Sequence, residues 1–217
     1  MAIDLNSDLG EGVGEDTDQH DATLLSIVSS ANVACGGHAG DAESMARVCD
    51  LAIARSVAIG AHSSYPDREG FGRRTTDHSA ALAAGSAVTD IKPHGELYHD
   101  CINNADDAQL VLDVATRFQQ ERGRSLALLC MPGALLLEEG ARRGFITANE
   151  AFADRGYRAD GRLVPRDAAG ALITDPLEAL PRLDRLLRDD EIVAIDGRPS
   201  SSRPAVSAST ETLLVRS

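Results

Sequence analysis

The sequence predicts a parallel α/β fold in which strands and helices alternate. Short apolar or β-branched segments, typical of buried strands, are followed by segments with helical periodicity, and about six or seven such pairs fit into the chain. The 217 residues contain no Pro- or Ser-rich linker before residue 198. We therefore predict one β/α domain over residues 1–197 and an atypical, disordered tail over residues 198–217. The alternation alone is compatible with a closed or nearly closed barrel and with an open doubly wound sheet.

The first strand, within residues 2–10, alternates apolar and polar side chains. Its polar residues Asp4, Asn6 and Asp8 point to one face. If helices cover the outside of the sheet, this face looks into a barrel, where polar groups are costly unless they bind something or one another. Glu11 follows at once in a Gly-rich turn. We interpret the strand as one wall of an active site, with a solvated edge strand as the alternative.

The later elements follow from local patterns in the same way. A short helix capped at Asp21 or Thr23 is expected before the second strand, and Asp41 is placed to cap the helix after it. Apolar or β-branched runs predict strands, and apolar residues at helical spacing predict helices. The predicted strands lie within residues 26–34, 57–61, 88–92, 126–131, 145–148 and 192–195. The predicted helices after Asp41 are 42–55, 105–122, 134–144 and 175–187, with loops at 63–74 and 149–158.

Composition and charge argue against several functions. The net charge of −13 disfavours nucleic acid or an anionic membrane as a partner. The four cysteines form no C-x-x-C pair, so neither a structural zinc site nor a disulfide framework is expected. There is no P-loop and no Gly-x-Ser-x-Gly elbow, so the chain offers no recognised nucleotide site of its own. Without a signal peptide or a long apolar run, we expect a cytoplasmic protein.

Three histidines share one context. His38, His62 and His94 each lie just past the carboxyl end of a predicted strand, the edge at which parallel α/β folds bind ligands. Together with Asp8 they predict a shared polar site. Asp and His ligands suit a borderline divalent metal, so metal binding is one interpretation of that site. The alternative is that each histidine only hydrogen-bonds its own loop.

Lys92 lies two residues before His94 and therefore faces the same side of its strand. A buried lysine there would stabilise a developing anion or phosphate, whereas the alternative is a surface lysine. Tyr98 is placed to donate a hydrogen bond in the same pocket. Further charged residues occupy loops expected on that face, where each is more often a loop salt bridge than a catalyst: Asp67, Arg68, Arg73, Glu150, Asp154, Arg155 and Arg166.

Several multi-residue blocks, in order along the chain, resemble the LamB/YcsF family. The resemblance covers nearly residues 1–198. The blocks are Asp4-Leu-Asn-Ser-Asp-Leu-Gly-Glu11, Ser30-Ala-Asn-Val-Ala-Cys-Gly-Gly-His-Ala-Gly-Asp41, Ala58-Ile-Gly-Ala-His62 with Pro66-Asp-Arg68, Lys92-Pro-His-Gly95 with Leu97-Tyr98, and Phe152-Ala-Asp-Arg-Gly-Tyr157 with Leu163-Val-Pro-Arg166.

The resemblance implies a seven-stranded parallel β/α (TIM-like) barrel of the glycoside hydrolase/deacetylase type. The family includes the A subunit of the prokaryotic ATP-dependent 5-oxoprolinase. The implied reaction is hydrolysis of a cyclic amide C–N bond, in which 5-oxo-L-proline, ATP and water give L-glutamate, ADP and phosphate. The implied partners are subunits B and C of that enzyme, and the implied co-substrate is ATP with Mg²⁺. The chain could also form a homo-oligomer.

The resemblance also implies site residues. The catalytic candidates are Asp8, Glu11, Lys92 and His94. The substrate-binding candidates are Asp4, Asn6, His38, Asp41, His62 and Tyr98. Independently of the resemblance, the residue types at the strand ends make Asp8, His38, His62 and His94 the candidates for ligands of a site-bound divalent metal.

The chain departs from the family pattern at two places. About one helix is missing near residues 75–90, and the family's closing Cys-Val-His-Gly-Asp strand and last helix are absent after Arg198. Codons allowed for residues 207–215 include a string that encodes this motif in a shifted frame, so we hypothesise a frameshift near Arg198, which the coding DNA would decide. These losses keep two alternatives open: a stand-alone metal-dependent deacetylase or amidohydrolase, and a non-catalytic small-molecule-binding remnant.

Overall fold

The computed structural model describes residues 3–12, 14–74, 88–189, 191–200 and 213–216. Within these ranges strands and helices alternate along most of the chain, as a βα architecture requires. The strands are β1 (Ile3–Leu9), β2 (Ser30–Ala34), β3 (Ala58–Ser63), β4 (Val88–Pro93), β5 (Ala127–Cys130), β6 (Ile146–Phe152) and β7 (Leu213–Arg216). The helices are α1 (Glu15–Leu24), α2 (Ala42–Ala54), α3 (Gly95–Asn103), α4 (Ala105–Arg122), α5 (Leu135–Arg142) and α6 (Pro176–Asp189).

Strands β1 to β6 pair in sequence order, and every pairing is parallel. The predicted parallel α/β fold is therefore confirmed, with the six strands forming a curled sheet. The short strand β7 pairs in parallel with β6 and with β1, the two outer strands of that sheet. The register brings the polar residues of neighbouring strands side by side, because Asp8 is opposite Asn32 and His62 is opposite Lys92.

Several predicted boundaries differ from the structure. Strand β6 continues to Phe152, so residues 149–152 belong to the sheet and not to the predicted loop. Residues 192–195, predicted as the last strand, are not a strand of the sheet. They contribute isolated bridges, such as the one between Val193 and Pro199. Helix α1 already begins at Glu15, so Asp21 does not cap it; the Asp21 carboxylate accepts a hydrogen bond from the Gly10 backbone N–H at 3.2 Å.

Helix α3, which follows β4 directly, has no counterpart among the predicted elements. The predicted gap of one helix near residues 75–90 lies mostly outside the described residues, because 75–87 are not described. In the tail, 201–212 are likewise outside the description, so its predicted disorder stays a prediction, whereas 213–216 form β7. Among the described residues, no helix is both long and apolar enough to cross a lipid bilayer.

The helices pack their apolar faces on the outside of the sheet. The larger apolar cluster joins β4 and β5 to α3, α4 and α5, and its fully buried members include Ile91, Leu112 and Leu128. A smaller cluster joins β2 and β3 to α2. Since this packing covers the outer faces of the strands, the polar side chains of the strands are turned to the inside of the curl.

One of these inward side chains, Asp90, needs a glycine beside it. A Cβ atom on Gly60 would overlap Asp90 Oδ2, so a larger residue at position 60 would have to displace the Asp90 side chain. The buried Asp90 carboxyl accepts a hydrogen bond from Thr89 Oγ1 at 2.8 Å. Burial raises the pKa of Asp90 to about 6; the charges of Asp4 and Glu150 act in the same direction, while the Thr89 hydrogen bond and the Lys92 charge oppose the shift.

We expect Asp90→Asn to raise the free energy of unfolding near pH 8 by up to about 3 kcal/mol, because a pKa raised by about two units means that ionising this buried carboxyl is unfavourable. Below about pH 4 the carboxyl is protonated in both folded and unfolded chains, and the advantage vanishes. It grows between about pH 4 and about pH 6, since the wild type loses stability as its Asp90 ionises there. Urea titrations across this pH range measure the difference.

The matched control is Asp50→Asn, because Asp50 is an exposed residue of α2. Its unfolding free energy is expected to follow the wild type at every pH. Parallel pH profiles for the wild type and Asp90→Asn would contradict the raised pKa.

Candidate active site

The polar site lies at the carboxyl ends of the strands, where residues from distant parts of the chain meet. Asp8 comes from β1, His62 from β3, Lys92 from β4 and Glu150 from β6, and His94 follows β4 directly. All five side chains are buried. A cavity of about 480 Å³ opens above them and is lined by Asp8, His62, Lys92 and His94. The shared polar site predicted from the strand-end histidines is therefore present in the structure.

Lys92 is the cation at the centre of this site. Its Nζ atom lies 3.3 Å from Asp8 Oδ1 and 3.3 Å from Asn6 Oδ1, and it forms an ion pair with Glu150 Oε1. Lys92 is only 1% exposed, which excludes the alternative of a surface lysine. An ammonium group is tolerated in such a place only when carboxylates compensate its charge, and here two of them do.

Glu150 is the functional residue that sequence reasoning placed wrongly. The sequence predicts a strand that ends at residue 148, which places Glu150 in the polar loop after it. In the structure Glu150 lies inside β6 and is fully buried. The available signal was the alternation of Ala148, Glu150 and Phe152, which is the period of a strand and not of a loop.

The polar face of β1 points inward, as predicted. Asn6 is fully buried, which excludes the alternative of a solvated edge strand. Asn32 Nδ2 donates two hydrogen bonds, one to Asn6 Oδ1 at 2.6 Å and one to Asp8 Oδ1 at 3.0 Å. This amide network fixes the Asp8 carboxylate in front of Lys92.

In two of the histidines, a contact with a backbone carbonyl oxygen shows which ring nitrogen carries the hydrogen. His62 Nδ1 lies 3.0 Å from the carbonyl oxygen of Lys92, and His94 Nε2 lies 3.0 Å from the carbonyl oxygen of Phe71. A carbonyl oxygen can only accept, so both of these nitrogens carry hydrogen. In the neutral rings the other nitrogens, His62 Nε2 and His94 Nδ1, are therefore acceptors. They face each other at 2.8 Å.

His38 is oriented in the same way by a serine. Its Nδ1 atom lies 2.9 Å from Ser64 Oγ, and the Ser64 hydroxyl donates to the carbonyl oxygen of Tyr65 at 3.0 Å. Because the serine hydrogen is already used, His38 Nδ1 is the donor and His38 Nε2 is the acceptor in the neutral ring. The ring of His38 is stacked on that of His94 with centroids 3.7 Å apart.

All three acceptor nitrogens surround one carboxylate oxygen, Glu11 Oε1. Its distances are 3.0 Å to His38 Nε2, 3.6 Å to His94 Nδ1 and 3.9 Å to His62 Nε2. One ligand atom from each of these four residues lies within 4.8 Å of the others, a grouping that suits a metal ion. The structure thus groups Glu11 with the histidines, where the sequence placed Asp8 as the carboxylate ligand.

Electrostatics keep the imidazoles neutral and the carboxylate charged. Burial, followed by the charge of Lys92, lowers the pKa of His62 to about 4. Burial, followed by its histidine neighbours, lowers the pKa of His94 to about 2. For Glu11, burial acts to raise the pKa, but it is outweighed by the hydrogen bond that a protonated His38 would donate and by the charges of the protonated histidines and of Lys92, so the pKa is lowered.

Two of the predicted substrate-binding residues, Asp4 and Asp41, make contacts within the fold. Asp41 accepts a hydrogen bond from the Ser44 N–H at 2.8 Å in a capping box that begins α2. Asp4 accepts hydrogen bonds from the hydroxyl groups of Ser29 and Ser30. Neither carboxylate lines the cavity. Both carboxylates are engaged by neighbouring donors, and their part in substrate binding stays a prediction.

Tyr98 is buried and lines the cavity, as predicted. Its pKa is raised well above the ordinary value by burial and by the charge of Glu150, so its hydroxyl stays protonated. Of the loop residues noted in the sequence, Asp67 and Arg68 bind the backbone of Gly70 and Gly40 and hold the loop in place. Five arginines line the cavity: Arg73, Arg155, Arg158, Arg162 and Arg166.

Known proteins with similar sequences and structures identify the family of this chain. The sequence model of the LamB/YcsF family matches residues 3–83 and 78–215. This chain belongs to the LamB/YcsF family. The two matched ranges overlap at residues 78–83, inside the segment where a helix is expected to be missing. The second range extends beyond Arg198.

Members of the LamB/YcsF family with assigned names are similar over most of their length. The 5-oxoprolinase A subunit of Streptomyces avermitilis is 44% identical over 213 residues, covering 90% of this chain and 84% of that protein. The protein of the same name in Mycobacterium avium is 43% identical over 212 residues, covering 90% and 82%. The crystal structure of the lactam utilization protein from Thermus thermophilus superimposes with a TM-score of 0.81 at 32% identity, covering 100% of this chain and 90% of that one.

The packing of the histidines depends on Gly72, which has a φ of 66°. A Cβ atom there would lie 2.9 Å from His38 Cβ and 3.1 Å from His94 Cδ2. We expect Gly72→Ala to separate the two stacked rings and to lower the free energy of unfolding by about 2–4 kcal/mol, because steric overlap adds to the backbone strain. Imidazole ¹H–¹⁵N NMR spectra and urea titration measure the two effects.

Gly123 provides the control, since its φ is 63° and a Cβ there meets nothing within 4 Å. Gly123→Ala is expected to show only the cost of the left-handed backbone, about 1 kcal/mol, with unchanged imidazole signals. Equal losses for the two variants would argue against the close approach at Gly72.

Proposed function

We propose that this chain acts as the A subunit of an ATP-dependent 5-oxoprolinase, in the opening of the lactam ring of 5-oxo-L-proline to L-glutamate. The observation that carries the proposal is the buried Lys92, held between Asp8 and Glu150 at the floor of a cavity with three histidines nearby. The names of the relatives give the substrate class. The fold we propose for the complete protein is a seven-stranded barrel, supported by the pairing of β7 with both β6 and β1.

The proposed reaction activates an amide that otherwise resists water. The lactam oxygen attacks the γ-phosphorus of ATP, ADP leaves, and the ring carbon becomes electrophilic. Water adds to that carbon, the C–N bond breaks and the nitrogen takes a proton to become the amine, which leaves an acyl phosphate. A second water molecule then hydrolyses the acyl phosphate to the side-chain carboxylate of glutamate and free phosphate. In this scheme the ammonium of Lys92 stabilises negative charge developing on the lactam or phosphate oxygen. Asp8 or a neutral histidine accepts the proton of the attacking water.

ATP with Mg²⁺ is the proposed co-substrate, and subunits B and C are the proposed partners. The chain contains no P-loop, which supports a nucleotide site formed with those partners. A second candidate function is favoured by the cluster of Glu11 with three histidines. This arrangement also suits a metal-dependent amidohydrolase that would act alone.

Arginines at the cavity support an anionic substrate. Arg155 donates to the carbonyl oxygens of Ala171 and Val164 at 3.1 and 2.8 Å, so its role is to hold its own loop. Arg73 and Arg166 are both exposed and both line the cavity. We propose that this pair binds the carboxylate of 5-oxoproline.

A reconstituted assay tests the proposed function. We expect glutamate and ADP to form together when this chain is combined with subunits B and C, ATP, Mg²⁺ and 5-oxoproline, and neither to form when one protein is left out. Glutamate formed by this chain alone, without ATP, would instead identify the amidohydrolase. A folded chain that forms no product in any combination would be the non-catalytic remnant and would contradict the proposal.

We expect Arg166→Gln to raise the KM for 5-oxoproline about 10- to 100-fold with kcat within about 3-fold, because one charge-assisted contact to the carboxylate is lost. Steady-state kinetics in the reconstituted assay measure both constants. Arg117→Gln is the control, since Arg117 is exposed on α4 and forms an ion pair with Glu121 of the same helix. An unchanged KM for Arg166→Gln would remove this residue from the substrate site.

A further inference from the structure

We propose that Glu11, His38, His62 and His94 bind one divalent transition-metal ion of the zinc class through three nitrogens and one oxygen. The site would be separate from the Mg²⁺ that accompanies ATP. It rests on the directions of hydrogen bonds, on interatomic distances and on charge balance within this cluster. It does not rest on the proposed function.

The first argument comes from the hydrogen bonds at the far sides of the rings. Each of the three histidines donates from its outer nitrogen, to a carbonyl oxygen for His62 and His94 and to a serine oxygen for His38. Such outer contacts are typical of metal-binding histidines, because they fix the ring and leave the inner lone pair directed at the ion. The inner nitrogens and Glu11 Oε1 are all acceptors. In the neutral rings they have no hydrogen to share with one another, and one metal cation between them would bind all four.

The second argument is the spacing of the ligand atoms. Bonds of about 2.0–2.2 Å to a tetrahedral zinc ion place neighbouring ligand atoms about 3.3–3.5 Å apart. In the structure the distances from Glu11 Oε1 to the three inner nitrogens are 3.0, 3.6 and 3.9 Å, and His62 Nε2 lies 2.8 Å from His94 Nδ1. These separations lie on both sides of the ideal value. A single proton shared by His62 and His94 would satisfy that pair but would leave His38 Nε2 facing Glu11.

The third argument is charge. The group contains one ammonium, that of Lys92, and three carboxylates, those of the buried Asp8 and Glu150 and of the partly exposed Glu11. A divalent cation would neutralise the remaining negative charge, which is otherwise costly in a buried site. Three nitrogens with one carboxylate favour Zn²⁺, Co²⁺ or a related ion over Mg²⁺ and Ca²⁺, which prefer oxygen.

The ion would lie at the cavity, since His62 and His94 belong to the cavity wall. A tetrahedral ion with four protein ligands can expand to a fifth position, at which a substrate oxygen or a water molecule would bind. Asp8 remains with Lys92 through Oδ1 and lies 2.9 Å from His62 Nε2 through Oδ2, beside the four ligands.

Metal titration of the full chain tests the inference without partners, ATP or substrate. After removal of metal with a chelator, Co²⁺ is added and its visible absorption is recorded, followed by displacement with Zn²⁺. We expect one equivalent of Co²⁺ with a tetrahedral spectrum, full displacement by Zn²⁺ and no displacement by Mg²⁺. His94→Ala is expected to weaken Co²⁺ binding by more than about 100-fold. Because no turnover is measured, failure here would leave the proposed function to its own assay.

Two variants guard against a trivial result. His20→Ala is the matched control, because His20 is exposed on α1, and it is expected to bind Co²⁺ as the wild type does. If His94→Ala fails to fold, Glu11→Gln replaces it, since the Glu11 side chain is 24% exposed and the change keeps its shape. Its binding is expected to be at least about 10-fold weaker with an unchanged circular dichroism spectrum. Less than one equivalent in the wild type, or equal affinity in all variants, would overturn the proposal.

Discussion

The ion pairs of Lys92 are the interaction on which the site depends. They connect β4 to β1 through Asp8 and to β6 through Glu150, three strands that are far apart in sequence. In a buried place the loss of one partner leaves an uncompensated charge, which typically costs about 3–5 kcal/mol. The lysine therefore holds opposite sides of the curled sheet together, and it does so at the same point where the proposed chemistry takes place.

The same residue also connects the ion pairs to the histidine cluster. The backbone carbonyl of Lys92 accepts the hydrogen bond that orients His62, and Asp8 contacts Lys92 with one oxygen and His62 with the other. The position of the ammonium and the orientation of the imidazole are consequently set together. A change in the protonation or metal content of the histidine cluster would therefore act on Lys92 through these two contacts.

Local patterns in the sequence predicted the parts of the site that depend on local structure. The polar face of β1 and the strand-end positions of His38, His62 and His94 follow from strand periodicity and from the rule that parallel strands end at one edge. Glu150 could not be placed in this way. Its charge is compensated by Lys92, which is 58 positions earlier in the chain. The local pattern could therefore indicate a strand at residue 150 but not that a glutamate would be buried there.

The distribution of charge within the cavity gives the substrate an orientation. The chain as a whole has a net charge of −13, yet arginines such as Arg73 and Arg166 line the cavity, so anions are attracted to this part of the surface. Deeper in the cavity, Lys92 is already matched by two carboxylates and the histidines are neutral. A second carboxylate is therefore disfavoured at the floor, whereas a neutral amide is not. A small molecule with an anionic carboxylate and a neutral ring amide would bind with the carboxylate at the arginines and the amide at the floor. That orientation places the amide carbonyl of the proposed lactam beside Lys92 and the histidines, which is where its activation requires a positive charge and an acceptor for the proton of water.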